Sequence, residues 1–158
     1  MKLALAVVAT LLTLALAAPS PFAEASAENA ETARFRWQNR VLLVFSPTPA
    51  LPAYQSLAYD LTRNQDGVRE RDLVVFFVLG DGESRLGDES LSDQQAENLR
   101  RRFDVGADAF KVVLVGKDGL VKLSSDAVTL TELFAVIDAM PMRQREMRDR
   151  PSDGSRSP

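Results

Sequence analysis

The chain of 158 residues contains no cysteine and no histidine. Without a thiolate, it has no group for thiol–disulfide exchange or peroxide reduction. Without histidine, it lacks the commonest general base and the commonest metal ligand. Together the two absences exclude Cys–His and Ser–His–Asp catalysis, structural zinc sites built from these residues, and haem ligation by histidine. Disulfide stabilisation, which many small secreted domains use, is excluded as well, so a folded domain here depends on its hydrophobic core.

The N-terminus has the pattern of a secretory signal peptide. Lys2 precedes an apolar run over residues 3–16, and Ala15 and Ala17 form a small-x-small cleavage site. A retained membrane anchor is the alternative, but the run is shorter than the roughly 20 residues that a spanning helix needs. We therefore expect a signal peptide at residues 1–17, a mature start between residues 18 and 28, and an exported protein, periplasmic or secreted, with no membrane span after cleavage.

Polar segments flank a single predicted domain. Residues 18–35 are rich in Ala, Glu, Ser and Pro and lack apolar periodicity, which predicts a flexible lead-in. Residues 149–158 (DRPSDGSRSP) predict a disordered tail for the same reason. The domain between them spans residues 36–148. The formal net charge of −3 and the lack of a strong basic face give no reason to expect nucleic acid as a partner.

Four apolar runs predict strands, at residues 41–45, 73–79, 111–115 and 120–123. The first two are uninterrupted, as in strands covered on both faces. Between the last two lies Lys117-Asp118-Gly119, and Asp-Gly between apolar runs is a strong hairpin signal because both central turn residues need positive φ. We therefore expect the last two strands to form an antiparallel hairpin.

Three helices are predicted from helical spacing and capping signals. Apolar residues recur from Leu51 to Leu61, and residues 64–67 (NQDG) end that helix. Ser92 with Gln95, and Thr129 with Glu132, form capping boxes at the start of the other two helices. The buried stripes of these two helices are predicted at Ala96, Leu99 and Phe103, and at Leu130, Leu133, Phe134, Ile137 and Met140, with Pro141 as the stop.

The resulting element order is β-α-β-α-β-β-α, which is the minimal thioredoxin fold. Parallel strands need crossover helices, whereas an antiparallel pair can use a short turn. We therefore expect an α/β protein with a central mixed sheet flanked by helices.

Three sequence blocks carry a resemblance to a known family. They are WQNRVLLVFSP at residues 37–47, FKVVLVGKDGLVKL at 110–123 and ELFAVIDAMPMRQREM at 132–147. These blocks resemble the bacterial domain-of-unknown-function family 4174 (DUF4174), a peroxiredoxin-like and thioredoxin-like group. That group is similar to a domain in animal extracellular-matrix proteins that also carry sushi repeats. The resemblance covers residues 36–148 and implies a fold and an extracytoplasmic setting, but no established activity or catalytic residue.

Two positions in this fold hold candidate binding residues, one after the first strand and one before the third. Redox-active relatives carry a cysteine after the first strand and a cis-proline before the third. Here Ser46 and Thr48 occupy the first place, and Ala109 and Phe110 the second. The hydroxyls of Ser46 and Thr48 either bind a partner or cap the first helix, with proline tolerated in its first turn. We expect Ala109 and Phe110 to flank them.

Other polar and aromatic features have simpler interpretations. The acidic segment 80–89 is predicted to be a solvated loop, with a calcium site as the alternative. The run of arginines at 100–102 is interpreted as a solvated helix flank. Trp37 is interpreted as a packing residue at one end of the core. Residues 142–148 form either a basic interaction helix or a frayed extension, and the sequence does not separate the two.

Two classes of function remain after these exclusions. The first is a redox-inactive interaction module that binds an envelope or extracellular protein and needs no cofactor. The second is a cysteine-independent enzyme on the same fold, either a hydrolase or a metal-assisted enzyme. One fold hosts many functions, so the fold alone does not choose between them. The first is the better prediction because a polar, proline-rich turn stands where the redox centre of a relative would be.

Overall fold

A six-stranded mixed sheet forms the centre of the protein. The computed structural model describes residues 30–149, so the predicted signal peptide, most of the lead-in and the tail beyond residue 149 lie outside the described residues. In chain order the elements are α1 (Ala30–Ala33), β1 (Arg40–Ser46), α2 (Pro52–Arg63), α3 (Gln65–Glu70), β2 (Leu73–Leu79), β3 (Arg85–Leu86), β4 (Glu89–Ser90), α4 (Asp93–Phe103), β5 (Lys111–Val115), β6 (Val121–Ser125), α5 (Leu130–Asp138) and α6 (Pro141–Asp149).

The strand order in the sheet is β4-β3-β2-β1-β5-β6. β1 runs parallel to β2, with Val44 opposite Phe77, and antiparallel to β5, with Val44 opposite Val112. β5 and β6 form the predicted antiparallel hairpin. Strands, crossover helices and hairpin together give the thioredoxin-like α/β fold, and this prediction is confirmed.

The core lies on both faces of β1, whose residues are all buried. Leu42 and Val44 pack into one cluster with side chains of α2 and α5, whereas Leu43 and Phe45 pack into the other with Leu99 of α4. Burial on both faces removes the need for polar alternation, which explains the continuous apolar sequence of this strand. Both predicted capping boxes are present, at Ser92–Gln95 and Thr129–Glu132.

Three segments predicted to be irregular are ordered. Helix α1 lies inside the predicted flexible lead-in, and Phe35 contacts the Phe76 ring edge-to-face at 5.9 Å between centroids. That prediction was therefore wrong for residues 30–35, because an aromatic contact with the core fixes them. The acidic segment 80–89, predicted to be a loop, contains β3 and most of the β3–β4 hairpin, which extends the sheet beyond β2. Residues 65–70, which include Asp66 and Gly67 of the predicted stop, form the short helix α3.

Trp37 is exposed, contrary to its predicted packing role. The residue is 62% exposed, and its backbone has a left-handed φ of 68°. The residue that packs at this end of the core is instead Phe35, two positions earlier.

The β5–β6 hairpin has the predicted location but a different turn geometry. Gly119 has a φ of 82°, whereas Asp118 is not among the described residues with positive φ. The Gly119 amide donates to the Gly116 carbonyl at 2.9 Å, and the Gly116 amide donates to the Leu120 carbonyl at 2.9 Å. This pattern fits a three-residue loop in which a left-handed glycine ends the turn, so the prediction of two positive φ angles was wrong.

Gly119→Val should lower the free energy of unfolding by about 1–2 kcal/mol, since a β-branched residue is penalised at positive φ. The space around the position is not limiting, because the nearest atoms to an added Cβ belong to the flexible Arg36 side chain, at 3.5 Å or more. Gly119→Asn is the matched control, and we expect a smaller loss because asparagine tolerates this conformation. Equal stability of both variants in urea denaturation would contradict the assigned turn.

Candidate functional site

The turn after β1 is held by its own hydroxyl groups. Ser46 is fully buried, and its Oγ donates to the Thr48 carbonyl at 2.8 Å. The Thr48 Oγ1 accepts from the Ala50 amide at 3.3 Å. Helix α2 has Leu51 at its N-cap and no side-chain cap, with Pro52 in its first turn. The predicted capping by Ser46 or Thr48 was therefore wrong, because both hydroxyls are used within the turn, while the tolerance for proline is confirmed.

Three loops meet at the carboxyl ends of β1 and β2. The Gly80 amide donates to the Ser46 carbonyl at 2.9 Å, and the Asp81 amide donates to the Pro47 carbonyl at 2.7 Å. A Cβ atom added at Gly80 would lie 2.5 Å from the Ala107 carbonyl oxygen and 3.0 Å from that of Pro47. The loop before β5 therefore lies beside the turn after β1, and only glycine fits between them.

Arg100, on helix α4, connects these loops through hydrogen bonds to their backbone carbonyls. Its guanidinium donates to the carbonyls of Ser46 at 3.1 Å, Val78 at 3.2 Å and Gly106 at 2.8 Å. The side chain is buried, so its interpretation as part of a solvated flank was wrong, while Arg101 is exposed as predicted. Burial lowers the pKa of Arg100, and nearby Glu97 opposes this effect. An arginine stays protonated in proteins, so a buried positive charge lies directly beneath the turn.

The remaining candidate residues lie on opposite faces of the sheet. Ala109 packs against the cluster that contains Leu99, whereas Phe110 packs against the cluster covered by α2 and α5. Phe110 also lines a cavity of about 400 Å³. The other lining residues are Ala53, Ser56, Leu57, Asp60, Asp126, Ala127, Val128, Thr129, Leu130 and Glu132. Of the four predicted binding residues, Ser46 is buried, whereas Thr48, Ala109 and Phe110 are half-exposed, and binding by them stays a prediction.

The opposite end of the sheet carries an ionic network that the sequence did not reveal. Arg40 pairs with Glu146 through two hydrogen bonds of 3.2 and 3.3 Å. Lys117 bridges Glu146 and Asp72, at 2.8 Å to each. These contacts attach helix α6 to β1 and to the β5–β6 turn.

Arg143 is the second centre of the same network. It donates to Glu70 Oε1 at 2.6 Å and to Asp138 Oδ1 at 3.1 Å, and Arg71 donates to Asp138 Oδ2 at 2.5 Å. Residues 142–148 are thus part of a docked helix. This settles the choice that the sequence left open between a helix and a frayed extension.

The network should make stability depend on acidic pH. Burial by itself raises the pKa values of Asp138 and Glu146, but hydrogen bonds from Arg71 and Arg143, and from Lys117 and Arg40, outweigh burial and lower both. A carboxyl group whose pKa is lowered in the folded state stabilises the fold at pH values above its unfolded-state pKa of about 4. This stabilisation is lost as the pH falls through the folded-state pKa.

We therefore expect the urea midpoint to be nearly constant from about pH 6 to 8 and to fall below about pH 4. Glu146→Gln should reduce the steepness of that fall, because one of the titrating groups is removed. A Glu146→Gln profile parallel to that of the unchanged protein would show that this carboxylate does not contribute.

Two further properties bear on what the protein can do. No three acidic side chains within residues 30–149 are arranged to hold a metal ion. No helix in the same range has both the length and the hydropathy needed to cross a membrane.

The fold and the cysteine-free turn define a thioredoxin-like α/β domain. The chain belongs to the family described as Domain of unknown function (DUF4174), whose model matches residues 31–146. It is 28% identical over 142 residues to coiled-coil domain-containing protein 80 of Danio rerio. That similarity covers 79% of this chain but only 16% of the relative, so the chain corresponds to a small part of the longer protein. No solved structure matches the chain.

Proposed function

We propose that the protein is an exported, redox-inactive binding module that recognises another protein of the cell envelope or exterior. The observation that carries this proposal is the turn after β1. At the position where a redox-active relative presents a thiol, the Ser46 hydroxyl donates a hydrogen bond to the Thr48 carbonyl. No thiol exists in the chain, so disulfide chemistry has no reacting atom. The turn is an ordered surface without a thiol.

The cavity beside Phe110 gives this surface a chemical preference. Three carboxylates line it, from Asp60, Asp126 and Glu132, and no cationic side chain does. Leu57 and Phe110 supply its apolar part. A partner segment with a basic residue next to an apolar one would match both the charge and the apolar surface. The acidic lining also disfavours nucleic acid, whose phosphates would be repelled.

The predicted location and the size of the relative agree with this role. The leader sequence predicts export, and an exported module meets its partners in the envelope or outside the cell. In the Danio rerio protein the similar region makes up 16% of the length, as expected for a domain that is combined with others.

Asp126→Lys and Phe110→Ser should each weaken capture of the partner from native envelope extracts by roughly tenfold or more, as for central interface residues. Thr48→Lys should act in the same direction, because it adds a positive charge to the turn beside this surface. Asp126 and Thr48 are exposed or half-exposed, so these variants should keep the fold, which circular dichroism checks. Gln94→Glu, an exposed change on α4, is the control.

Two results would count against the proposed function. Equal recovery of a stoichiometric partner by Asp126→Lys, Phe110→Ser and the unchanged protein would move the binding surface elsewhere. Turnover in a broad hydrolase screen, abolished by a substitution in this turn, would favour the enzymatic alternative.

A further inference from the structure

A second exposed surface lies at the other end of the sheet, before β1 begins. Trp37 is 62% exposed, Leu120 62% and Val121 52%, and they are among the few large apolar side chains exposed to this extent in the described chain. The Trp37 amide donates to the Lys117 carbonyl at 2.6 Å, which places Trp37 beside the β5–β6 turn that precedes the other two residues. We call Arg36, Trp37, Gly119, Leu120 and Val121 the Trp37 surface.

The conformation of Trp37 is unfavourable for the isolated chain. An aromatic residue rarely adopts a φ such as its 68°, and residues held in this region cluster at functional sites. The strain is not offset by burial, because the ring remains in solvent. The hydrogen bond to Lys117 maintains the conformation, so the fold holds an indole outward at a fixed position.

The charge next to the indole is positive. The Arg36 guanidinium lies 5.3 Å from the Trp37 ring centroid, and its Nε would be 3.5 Å from a Cβ added at Gly119. Within residues 30–149, no carboxylate forms an ion pair with Arg36, whereas Asp118 is paired with Lys122 at 2.7 Å. Arg36 and Arg102 both line a cavity of about 310 Å³ that also borders Leu120, and Asp118, the carboxylate that lines it, is the one paired with Lys122.

The adjoining strand has an open edge. β6 pairs with β5 on one side, and no described strand lies on its other side. An open edge offers backbone donors and acceptors to an added strand, in which main-chain hydrogen bonds supply affinity and alternate side chains supply specificity.

From these observations we propose that the Trp37 surface binds an extended segment of a partner protein in which acidic side chains alternate with apolar ones. The segment adds to the edge of β6 near Val121, its apolar side chains cover Trp37 and Leu120, and a carboxylate pairs with Arg36. This surface is at the opposite end of the sheet from Phe110. It prefers an acidic partner segment, whereas the cavity beside Phe110 prefers a basic one. The proposal therefore goes beyond the proposed function and does not depend on it.

The single tryptophan of the chain makes a direct test possible. The purified protein is titrated with a short peptide of alternating valine and glutamate, and in parallel with one of alternating valine and lysine. We expect a saturable blue shift of Trp37 emission and weaker acrylamide quenching with the glutamate peptide alone. Equal shifts with both peptides, or no shift with the glutamate peptide at about 1 mM, would overturn the proposal.

Variants separate the apolar and ionic contributions. Leu120→Ser should weaken binding of the glutamate peptide roughly tenfold or more. Arg36→Glu should reverse the preference, so that the lysine peptide binds better. Tyr59→Ser, which removes another aromatic that is 61% exposed, is the matched control and should leave binding unchanged. If Arg36→Glu retains the preference for glutamate, the assigned ionic contact is wrong.

Discussion

Replacing Arg143 with methionine should lower the free energy of unfolding by roughly 3 kcal/mol, at the lower end of the cost of breaking a buried ion pair. Arg143 is only 1% exposed, so its charge is almost fully removed from water. Glu70 and Asp138, its partners, remain 48% and 31% exposed, so water partly solvates them after the change. Methionine fills much of the same volume, and therefore the expected loss is mainly electrostatic.

The effect should appear as a lower urea midpoint and a lower melting temperature. Arg145→Met is the matched control, since this arginine lies on the same helix but is exposed and forms no ion pair among the described residues. Arg143→Lys should recover only part of the loss, because an ammonium group does not reproduce the fork that contacts Glu70 and Asp138. Unchanged stability of Arg143→Met would mean that helix α6 does not depend on these contacts.

The long strands β1, β2 and β5 could be predicted from sequence because their signal is local, whereas the short strands β3 and β4 lie in a segment predicted to be a loop. β2 and β5 have the predicted bounds, and β1 extends one residue beyond its apolar run at each end. A strand that is buried on both faces is an uninterrupted apolar run, so it can be recognised without knowing which elements pack against it. The capping boxes at Ser92 and Thr129 were predictable for the same reason, since each connects residues three positions apart.

The ionic network could not be predicted in this way because its partners are distant in sequence. Arg40 and Glu146 are 106 positions apart. Apolar periodicity reports which side chains leave water, but it does not report which charges the fold brings together. Arg100 is an intermediate case. It was interpreted as part of a solvated flank, although it follows Ala96 by four positions and precedes Phe103 by three, a spacing that lies on the buried stripe. A charged residue on that stripe was the available signal.

Trp37 shows that a tertiary contact accompanies an unusual backbone conformation at a single residue, and Asp118 shows that a dipeptide alone does not fix the type of turn. The φ of 68° at Trp37 accompanies a hydrogen bond to Lys117, in a turn eighty positions later in the sequence. The Asp-Gly dipeptide alone predicts a positive φ at Asp118, whereas the hairpin uses a three-residue loop in which only Gly119 has one.

Arg100→Met should lower the free energy of unfolding by about 2–3 kcal/mol, through the loss of charge-assisted hydrogen bonds to three carbonyl groups. The Ser46 carbonyl keeps the Gly80 amide as a donor, and the Gly106 carbonyl keeps the Ala109 amide, which limits the loss. The change should also loosen the turn after β1. Hydrogen exchange of the Gly80 and Asp81 amides should therefore accelerate beyond what the fall in global stability explains.

Arg100→Lys is the decisive comparison. Lysine retains the buried charge, but a single ammonium on a flexible stem does not match the guanidinium fork that reaches Ser46, Val78 and Gly106. We therefore expect Arg100→Lys to be at least as destabilising as Arg100→Met, while Arg101→Met on the exposed neighbour has little effect. If Arg100→Lys were as stable as the unchanged protein, the positive charge alone would be sufficient. The candidate binding surface would then not depend on the geometry of the three bonds that join its loops.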